Sequence, residues 1–401
     1  MLTEASVPTP AAGRQLLWLA AALSLGAAVS LGITRFAYGL LLPAMRTDLG
    51  WTYTLAGGMN TANALGYFLG ALATPVLMRR LGPGRLLWMG SLLASVFMAL
   101  SGFFVDAQAL MLQRLLAGVA SALVFIAGGL LAARLGARDP LRSGLLLGLY
   151  YGGAGLGIVA SAAVVPWLLE LTQAQAHGWR WSWWVLALLC VVASGLLLWP
   201  VRVMARWDSG LPAAAGHERT PWRPLGFALA GYTMFGVGYI GYMTFVVALL
   251  RTQGHSAVAV TFFYGLLGVA VMASSRVWAG LLNRHKDGQA MARLNALLGL
   301  ATVLPAVTAW WPAVLASGLL FGGVFLSVVA STTALVRHNL PAAQWAAGIS
   351  AFTVVFAFGQ IVGPTVVGWI ADGEGGLARG LVFSALALWL GAGFALRQKA
   401  L

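Results

Sequence analysis

Residues 16–45 read LLWLAAALSLGAAVSLGITRFAYGLLLPAM, an apolar run interrupted by one charge, Arg35. An α-helix rises about 1.5 Å per residue and the hydrocarbon of a bilayer is about 30 Å thick, so about 20 such residues cross it. The run is long enough to span, and runs like it repeat along the chain at 55–78, 86–105, 110–133, 141–169 and 183–203. A second set follows at 225–250, 257–282, 292–310, 313–336, 342–370 and 377–396. Composition agrees. The 401 residues are 60% hydrophobic and 8% charged, with a mean hydropathy of +0.86, whereas soluble domains carry about 25% charged residues. The expectation is an all-α polytopic membrane protein of twelve transmembrane helices in two six-helix halves, 1–203 and 224–401, joined by a polar linker at 204–223. That linker holds Arg206, Asp208, Pro212, His217, Glu218, Arg219 and Pro221. The first run is too long for the apolar core of a cleaved signal, so none is expected.

Orientation follows from the basic residues. Of the 24 Lys and Arg, all but three inside spans and Arg46, Arg180, Arg251 and Arg379 fall on the side of the termini and the linker. Positively charged loops stay in the cytoplasm, which places both termini there and points to a bacterial inner membrane. The formal charge of +14 then reflects topology, and no nucleic-acid partner is expected. Trp51, Trp167, Trp179, Trp181, Trp310, Trp311 and Trp369 sit near span ends, where amphipathic rings favour the headgroup region.

The halves also read as repeats. An offset of about 204 residues aligns Gly32, Arg35 and Tyr38 with Gly236, Tyr239 and Tyr242, and Gly155 with Gly359; one of about 200 aligns Gly118 and Phe125 with Gly318 and Phe325. Two six-helix halves about a cavity is the architecture of the major facilitator superfamily. The run Gly32-Ile-Thr-Arg-Phe-Ala-Tyr-Gly-Leu-Leu-Leu-Pro-Ala-Met45, with Leu81-Gly-Pro-Gly-Arg85 after the second span, resembles its YbfB/YjiJ branch over nearly the whole chain. Arg114-Leu-Leu-Ala-Gly118 is similar to the superfamily's Arg-x-x-x-Gly motif of helix four. Gly359-Gln-Ile-Val-Gly-Pro364 resembles its Gly-Pro antiporter motif, placed here in helix eleven with Gly363 and Pro364. The resemblance implies a transporter that works as a monomer, with helices one, four, seven and ten lining the cavity, and it leaves the cargo open.

One departure bears on gating. Where the superfamily carries an acid before Arg-x-Gly, this chain has Arg79, followed by Arg80, Leu81 and Gly82, and the repeat copy Gly280-Leu-Leu-Asn-Arg284 offers Asn283 beside Arg284. Asp139 and Asp208 are the acids that could substitute. Arg79, Arg80, Gly82, Arg85, Gly118, Gly280, Asn283, Arg284, Gly363 and Pro364 form the candidate gating set.

The chemistry rests on three arginines inside spans, Arg35, Arg114 and Arg276. A charge at mid-bilayer costs about 2.5–3.5 kcal/mol on insertion scales and persists where it faces a wet cavity or a partner. Arg35, late in span one, and Arg114, early in span four, reach similar depth. A guanidinium stays charged and offers a fork matched to carboxylate or phosphate. The alternative is that each snorkels or caps a carbonyl. Arg276-Val-Trp-Ala-Gly280 is similar to a helix-eight motif of oxalate/formate and monocarboxylate transporters, where the resemblance implies carboxylate binding. On span seven Tyr232, Phe235, Tyr239 and Tyr242 follow three- and four-residue steps on one face, fit for a substrate's apolar body or for ordinary packing. Tyr38, Gln360, Asn60 and Asn63 complete the polar candidates, and interhelical hydrogen bonding explains such residues equally well.

Other classes fit poorly. Gly152-Gly-Ala-Gly-Leu-Gly157 lies inside a span and lacks nucleotide-loop spacing, so it reads as close helix packing. Neither Lys286 nor Lys399 sits in a Walker A loop. The histidines, His177, His217, His255, His285 and His338, lie in breaks without metal-ligand spacing, and Cys190 is the one cysteine. No enzyme activity, metal or cofactor is expected. No acid sits deep in a span, which disfavours proton-coupled cation export. The reading is a secondary transporter for a small organic anion, carboxylate-like, working by alternating access. Efflux of lipophilic or zwitterionic compounds is the alternative, and a non-transporting sensor a remote third.

Overall fold

The computed structural model describes residues 10–207, 222–341 and 344–401. Asp208 and most of the linker read at 204–223 lie outside the described residues. The described chain is helical throughout. It runs α1 (Pro10–Ala27), α2 (Ala37–Leu49), α3 (Tyr53–Leu81), α4 (Pro83–Ser101), α5 (Ala107–Arg138), α6 (Ser143–Leu171) and α7 (Arg180–Ala205). It continues with α8 (Gly226–Thr252), α9 (Ala257–Val277), α10 (Ala279–Arg284), α11 (Gln289–Val307), α12 (Trp311–Asn339), α13 (Trp345–Ala371) and α14 (Gly376–Leu396). Twelve spans result, because α1 and α2 form one crossing and α10 is a short continuation of α9. The chain is a multi-pass membrane protein. The face where α1 begins and α14 ends is called the terminal face below, and the other the opposite face.

Helix starts on the opposite face are set by short polar side chains. Thr52, Asp106 and Ser256 each accept a hydrogen bond from the backbone N–H three residues on, at Leu55, Ala109 and Ala259, which satisfies an orphan donor of the first turn. Between α3 and α4 the chain turns at Gly82, whose φ of 76° suits a residue without Cβ.

Two spans depart from the simple apolar runs of the sequence. In the first, Ala28–Ile33 is π-helical, and the Thr34 and Phe36 N–H groups reach back five residues to the Val29 and Leu31 carbonyls, each at 3.0 Å. A π-bulge inserts a residue and frees carbonyls for side chains. In the eighth, the run expected at 257–282 breaks at Trp278, whose indole N–H donates to the Gly323 carbonyl at 2.8 Å. That reach across to α12 turns the chain before α10.

Helices α1–α7 pack among themselves, as do α8–α14, and the halves meet mainly through α3 with α13, α6 with α9, and α2 with α8. Lipid gives helices little hydrophobic reason to associate, so small residues that allow close backbone approach carry such contacts. Gly155 in α6 lies against the Gly268 carbonyl in α9, where a Cβ would collide, and Gly57 in α3 lies likewise against the Pro364 carbonyl in α13. Of the glycine run at 152–157, Gly152 and Gly155 thus face α9 across the seam between the halves, while Gly153 and Gly157 pack on the first span at Ser24, Ala28 and Gly32.

Candidate functional site

Arg35 leaves the chain in the turn that follows the π-helical segment. It is 3% exposed, its Nη2 has no hydrogen-bond partner, and among the described residues it forms no ion pair. Its guanidinium lies 5.6 Å from the Tyr67 ring centroid, within cation–π reach. It faces a cavity of about 120 Å³ between the halves. The N-terminal wall is Leu31, Arg35, Phe36, Tyr67, Phe125 and Tyr151; the C-terminal wall includes Tyr239, Val271, Phe325, Val329, Thr333 and Phe356. No acid lines it. The Tyr67 and Tyr151 hydroxyls make no hydrogen bond among the described residues.

Arg114 occupies the same layer in a different role. Its Nη1 donates to the Thr34 carbonyl at 2.6 Å and its Nη2 to Asn60 Oδ1 at 2.8 Å. It lies 4.9 Å from the Tyr38 ring centroid and 5.9 Å from that of Trp183. The carbonyl it holds is one released by the bulge in span one. Ser121 takes that of Ser30, and the Tyr264 hydroxyl, from the other half, takes that of Phe36 at 2.9 Å. Arg114 is not among the cavity-lining residues. It clamps the segment that carries Arg35.

The tyrosines divide similarly. Tyr239 lines the cavity and donates to Gln360 Oε1 at 3.0 Å, while Gln360 Nε2 has no partner. Tyr242 pairs with Ser317 at 2.7 Å and stacks on Phe321 at 4.0 Å, packed inside the C-terminal half. Tyr38 is fully buried and donates to the Ala56 carbonyl at 2.8 Å. Helical steps of three and four residues drift around the axis, so residues 239 and 242 need not share one neighbour. Arg276 is exposed in the last turn of α9, away from the cavity. Asn63 Nδ2 donates to the Arg114 backbone carbonyl at 3.0 Å.

The cavity takes residues from more helices than the four that the resemblance implied: Tyr67 comes from α3, Tyr151 from α6, Val271 from α9 and Phe356 from α13. Tyr67 and Phe356 were not singled out in the sequence, and Phe325 only as the repeat counterpart of Phe125, since a lone aromatic in an apolar run carries no signal of which way it points. Ring planes in the C-terminal wall lie nearly parallel. Tyr239 meets Phe325 at 5.4 Å and 16°, and Phe356 at 5.5 Å and 17°.

Hydrogen bonds between the halves gather toward the opposite face. The Asp372 carboxylate, at the end of α13, accepts from Tyr53 N at 2.7 Å, Thr54 N at 2.8 Å and Thr54 Oγ1 at 2.6 Å. It thereby sits on the N-terminus of α3, where the helix dipole favours an anion. Arg46 stacks on Tyr53 beside it at 3.9 Å. Deeper in, Thr61 donates to the Ile361 carbonyl at 2.7 Å and Asn60 to Thr244 at 2.8 Å. Asn60 thus connects Arg114 to the other half.

The motif residues lie elsewhere. Arg79, Arg80 and Arg85 are exposed around the Gly82 turn on the terminal face, and Gly280, Asn283 and Arg284 are exposed on α10. Gly118 and Gly363 are packing points, against the Asn63 and Val237 carbonyls. Asp139, buried at the end of α5, accepts from the Arg142 backbone N–H at 3.2 Å.

Twelve helices in two groups of six, closing on a cavity at their interface, define a transporter of the major facilitator type. The chain matches the family described as "Uncharacterised MFS-type transporter YbfB" over residues 27–396, and it belongs to that family. Two proteins of Agrobacterium vitis, each named "Putative tartrate transporter", are similar to it. One is 23% identical over 396 residues, covering 88% of this chain and 83% of the relative; the other is 24% identical over 389 residues, covering 88% and 86%. Among solved structures, a bacterial homologue of the lysosomal transporter Spinster, inward-facing and unoccupied, aligns with a TM-score of 0.67 at 14% identity, covering 95% of this chain and 98% of that one. The nucleoside transporter NupG aligns with a TM-score of 0.69 at 13% identity, covering 96% and 100%. At those identities the likeness concerns the fold. Family and curated relatives are transporters, not enzymes.

Proposed function

We propose that the chain is a secondary active transporter that carries a small organic anion across the cytoplasmic membrane by alternating access, with the terminal face in the cytoplasm. The observation that carries this reading is Arg35, a buried cation with an unpaired Nη2, at a cavity that no acid lines among the described residues. A charge left without a partner in low dielectric is costly, and an incoming anion supplies that partner. The tartrate naming of the curated relatives is consistent with a carboxylate. Arg114 takes part as the clamp on span one, through Thr34 and Asn60, and not as a ligand. Tyr239, set by Gln360, belongs to the wall against the substrate's body.

In this reading the opposite face is the outer side, and the hydrogen bonds that Asp372 and Thr61 form between the halves act as its gate. Substrate release or loading then occurs from the cytoplasm, and the halves rock about the glycine seam of α6 and α9. The test is a thermal-shift screen of the purified protein against mono- and dicarboxylates, amino acids, sugar phosphates and lipophilic cations, run beside Arg35→Gln. Ligand binding raises apparent stability by mass action without knowledge of direction or coupling. Anion hits lost in the variant support the reading. Stabilisation by cations or neutral amphiphiles, unchanged in the variant, moves the function to efflux of lipophilic compounds.

A further inference from the structure

Three features of the cavity bear on which anion fits: its charge count, the orientation of its rings and its size. We infer that the substrate is a monoanion with a flat apolar body, of the aromatic monocarboxylate kind, and not a hydroxylated dicarboxylate. The inference rests on the anion reading of Arg35.

Charge comes first. Among the described residues Arg35 is the one charged residue lining the cavity. Arg114 already directs Nη1 and Nη2 at Thr34 and Asn60 and is flanked by the faces of Tyr38 and Trp183. A single carboxylate on Arg35 leaves the loaded site neutral. A second carboxylate would enter a space walled by Phe36, Phe325 and Phe356 with no cation to meet it, and burying an unpaired charge is strongly unfavourable. Hydroxyl groups find few partners, the Tyr67, Tyr151 and Thr333 hydroxyls being those of the wall that make no hydrogen bond among the described residues.

Shape points the same way. The rings of Tyr242, Phe321, Phe325, Tyr239 and Phe356 form a column in which each successive pair lies within 17° of parallel. Tyr239, Phe325 and Phe356 of that column form part of the cavity's C-terminal wall, and because their faces are largely taken up by one another, a planar guest beside them meets ring edges, the edge-to-face geometry that aromatic pairs favour. The volume of about 120 Å³ is of the order that holds one ring; an apolar cavity of about 150 Å³ takes benzene.

The charge balance also constrains the cycle. An empty carrier must reorient with the Arg35 charge uncompensated, while a carrier holding a monoanion moves as a neutral site, so exchange of one monoanion for another is the favoured turnover.

The test measures concentration-dependent thermal shifts of the purified chain with four probes: benzoate, cyclohexanecarboxylate, benzamide and tartrate. The expected order is benzoate tightest, about three- to tenfold over cyclohexanecarboxylate from aromatic ring contact, and more than tenfold over tartrate and neutral benzamide. Arg35→Gln abolishes benzoate binding. Phe356→Leu, which keeps the charge site and an apolar wall, brings benzoate and cyclohexanecarboxylate within about twofold. Should Arg35→Gln fail to fold, Arg35→Lys keeps the charge, removes the fork, and weakens benzoate. Tartrate binding as tightly as benzoate, in an Arg35-dependent way, overturns this inference and leaves the anion reading standing. Equal affinity for the flat and the puckered ring overturns the claim of a planar body. If none of the anions binds in an Arg35-dependent way, both readings fall together.

Discussion

Replacing Asp372 by Asn should shift the carrier toward opening on the opposite face. The carboxylate joins the halves by three hydrogen bonds, two to the first-turn N–H groups of α3 and one to the Thr54 hydroxyl. An amide of the same shape keeps one acceptor oxygen, so about one neutral-strength hydrogen bond is lost, worth about 0.5–1.5 kcal/mol. The charge at the helix N-terminus is lost too, worth about 0.3–1 kcal/mol where it is exposed, as Asp372 is. Together they amount to about 1–2 kcal/mol, or a change of about 5- to 30-fold in the ratio of closed to open. The assay is a pulsed electron paramagnetic resonance distance between spin labels at Val105 and Trp310, exposed residues of the two halves on that face. Cys190, the chain's one cysteine, is buried and leaves the labelling clean. The longer-distance population should grow by that factor in Asp372→Asn and by less in Thr54→Val, which removes a single bond. Distance distributions unchanged in both variants would refute the idea that Asp372 holds the outer gate.

Three more outcomes follow from the site. Arg114→Gln should lower thermal stability by about 2–4 kcal/mol, since it disturbs the partners of the Thr34 carbonyl and Asn60 in a buried layer where unsatisfied groups cost about 1–3 kcal/mol each; a detergent melting curve that matches wild type would make Arg114 dispensable to span one. Tyr239→Phe keeps the ring column and strands Gln360 Oε1, so stability should fall by about 1–3 kcal/mol with little change in benzoate's preference over cyclohexanecarboxylate. Gly155→Val places a side chain against the Gly268 carbonyl and should stop flux in proteoliposomes while insertion into the membrane is normal; retained flux would show that the α6–α9 seam tolerates separation.

The twelve spans and the fold class are legible in the sequence because lipid imposes a local rule: about 20 apolar residues per crossing and cations held to the loops. The depth of Arg35 and Arg114 is legible for the same reason. Their roles are not. Which guanidinium is free depends on the π-helical bulge in span one, which presents the Thr34 carbonyl to Arg114 and leaves Arg35 facing the cavity, and no local pattern announces that bulge. The same holds for Asp372, an edge acid in the sequence, whose partners Tyr53 and Thr54 lie more than three hundred residues away in the chain. Tyr239 and Tyr242, neighbours on a helical wheel, part company because one meets the gap between halves and the other meets Ser317 and Phe321. The chain alone determined what must cross the membrane and which charges it carries inside. Only the packing of the helices decided which of those charges has no hydrogen-bonding or ionic partner, because pairing is set by distance in space and not along the chain.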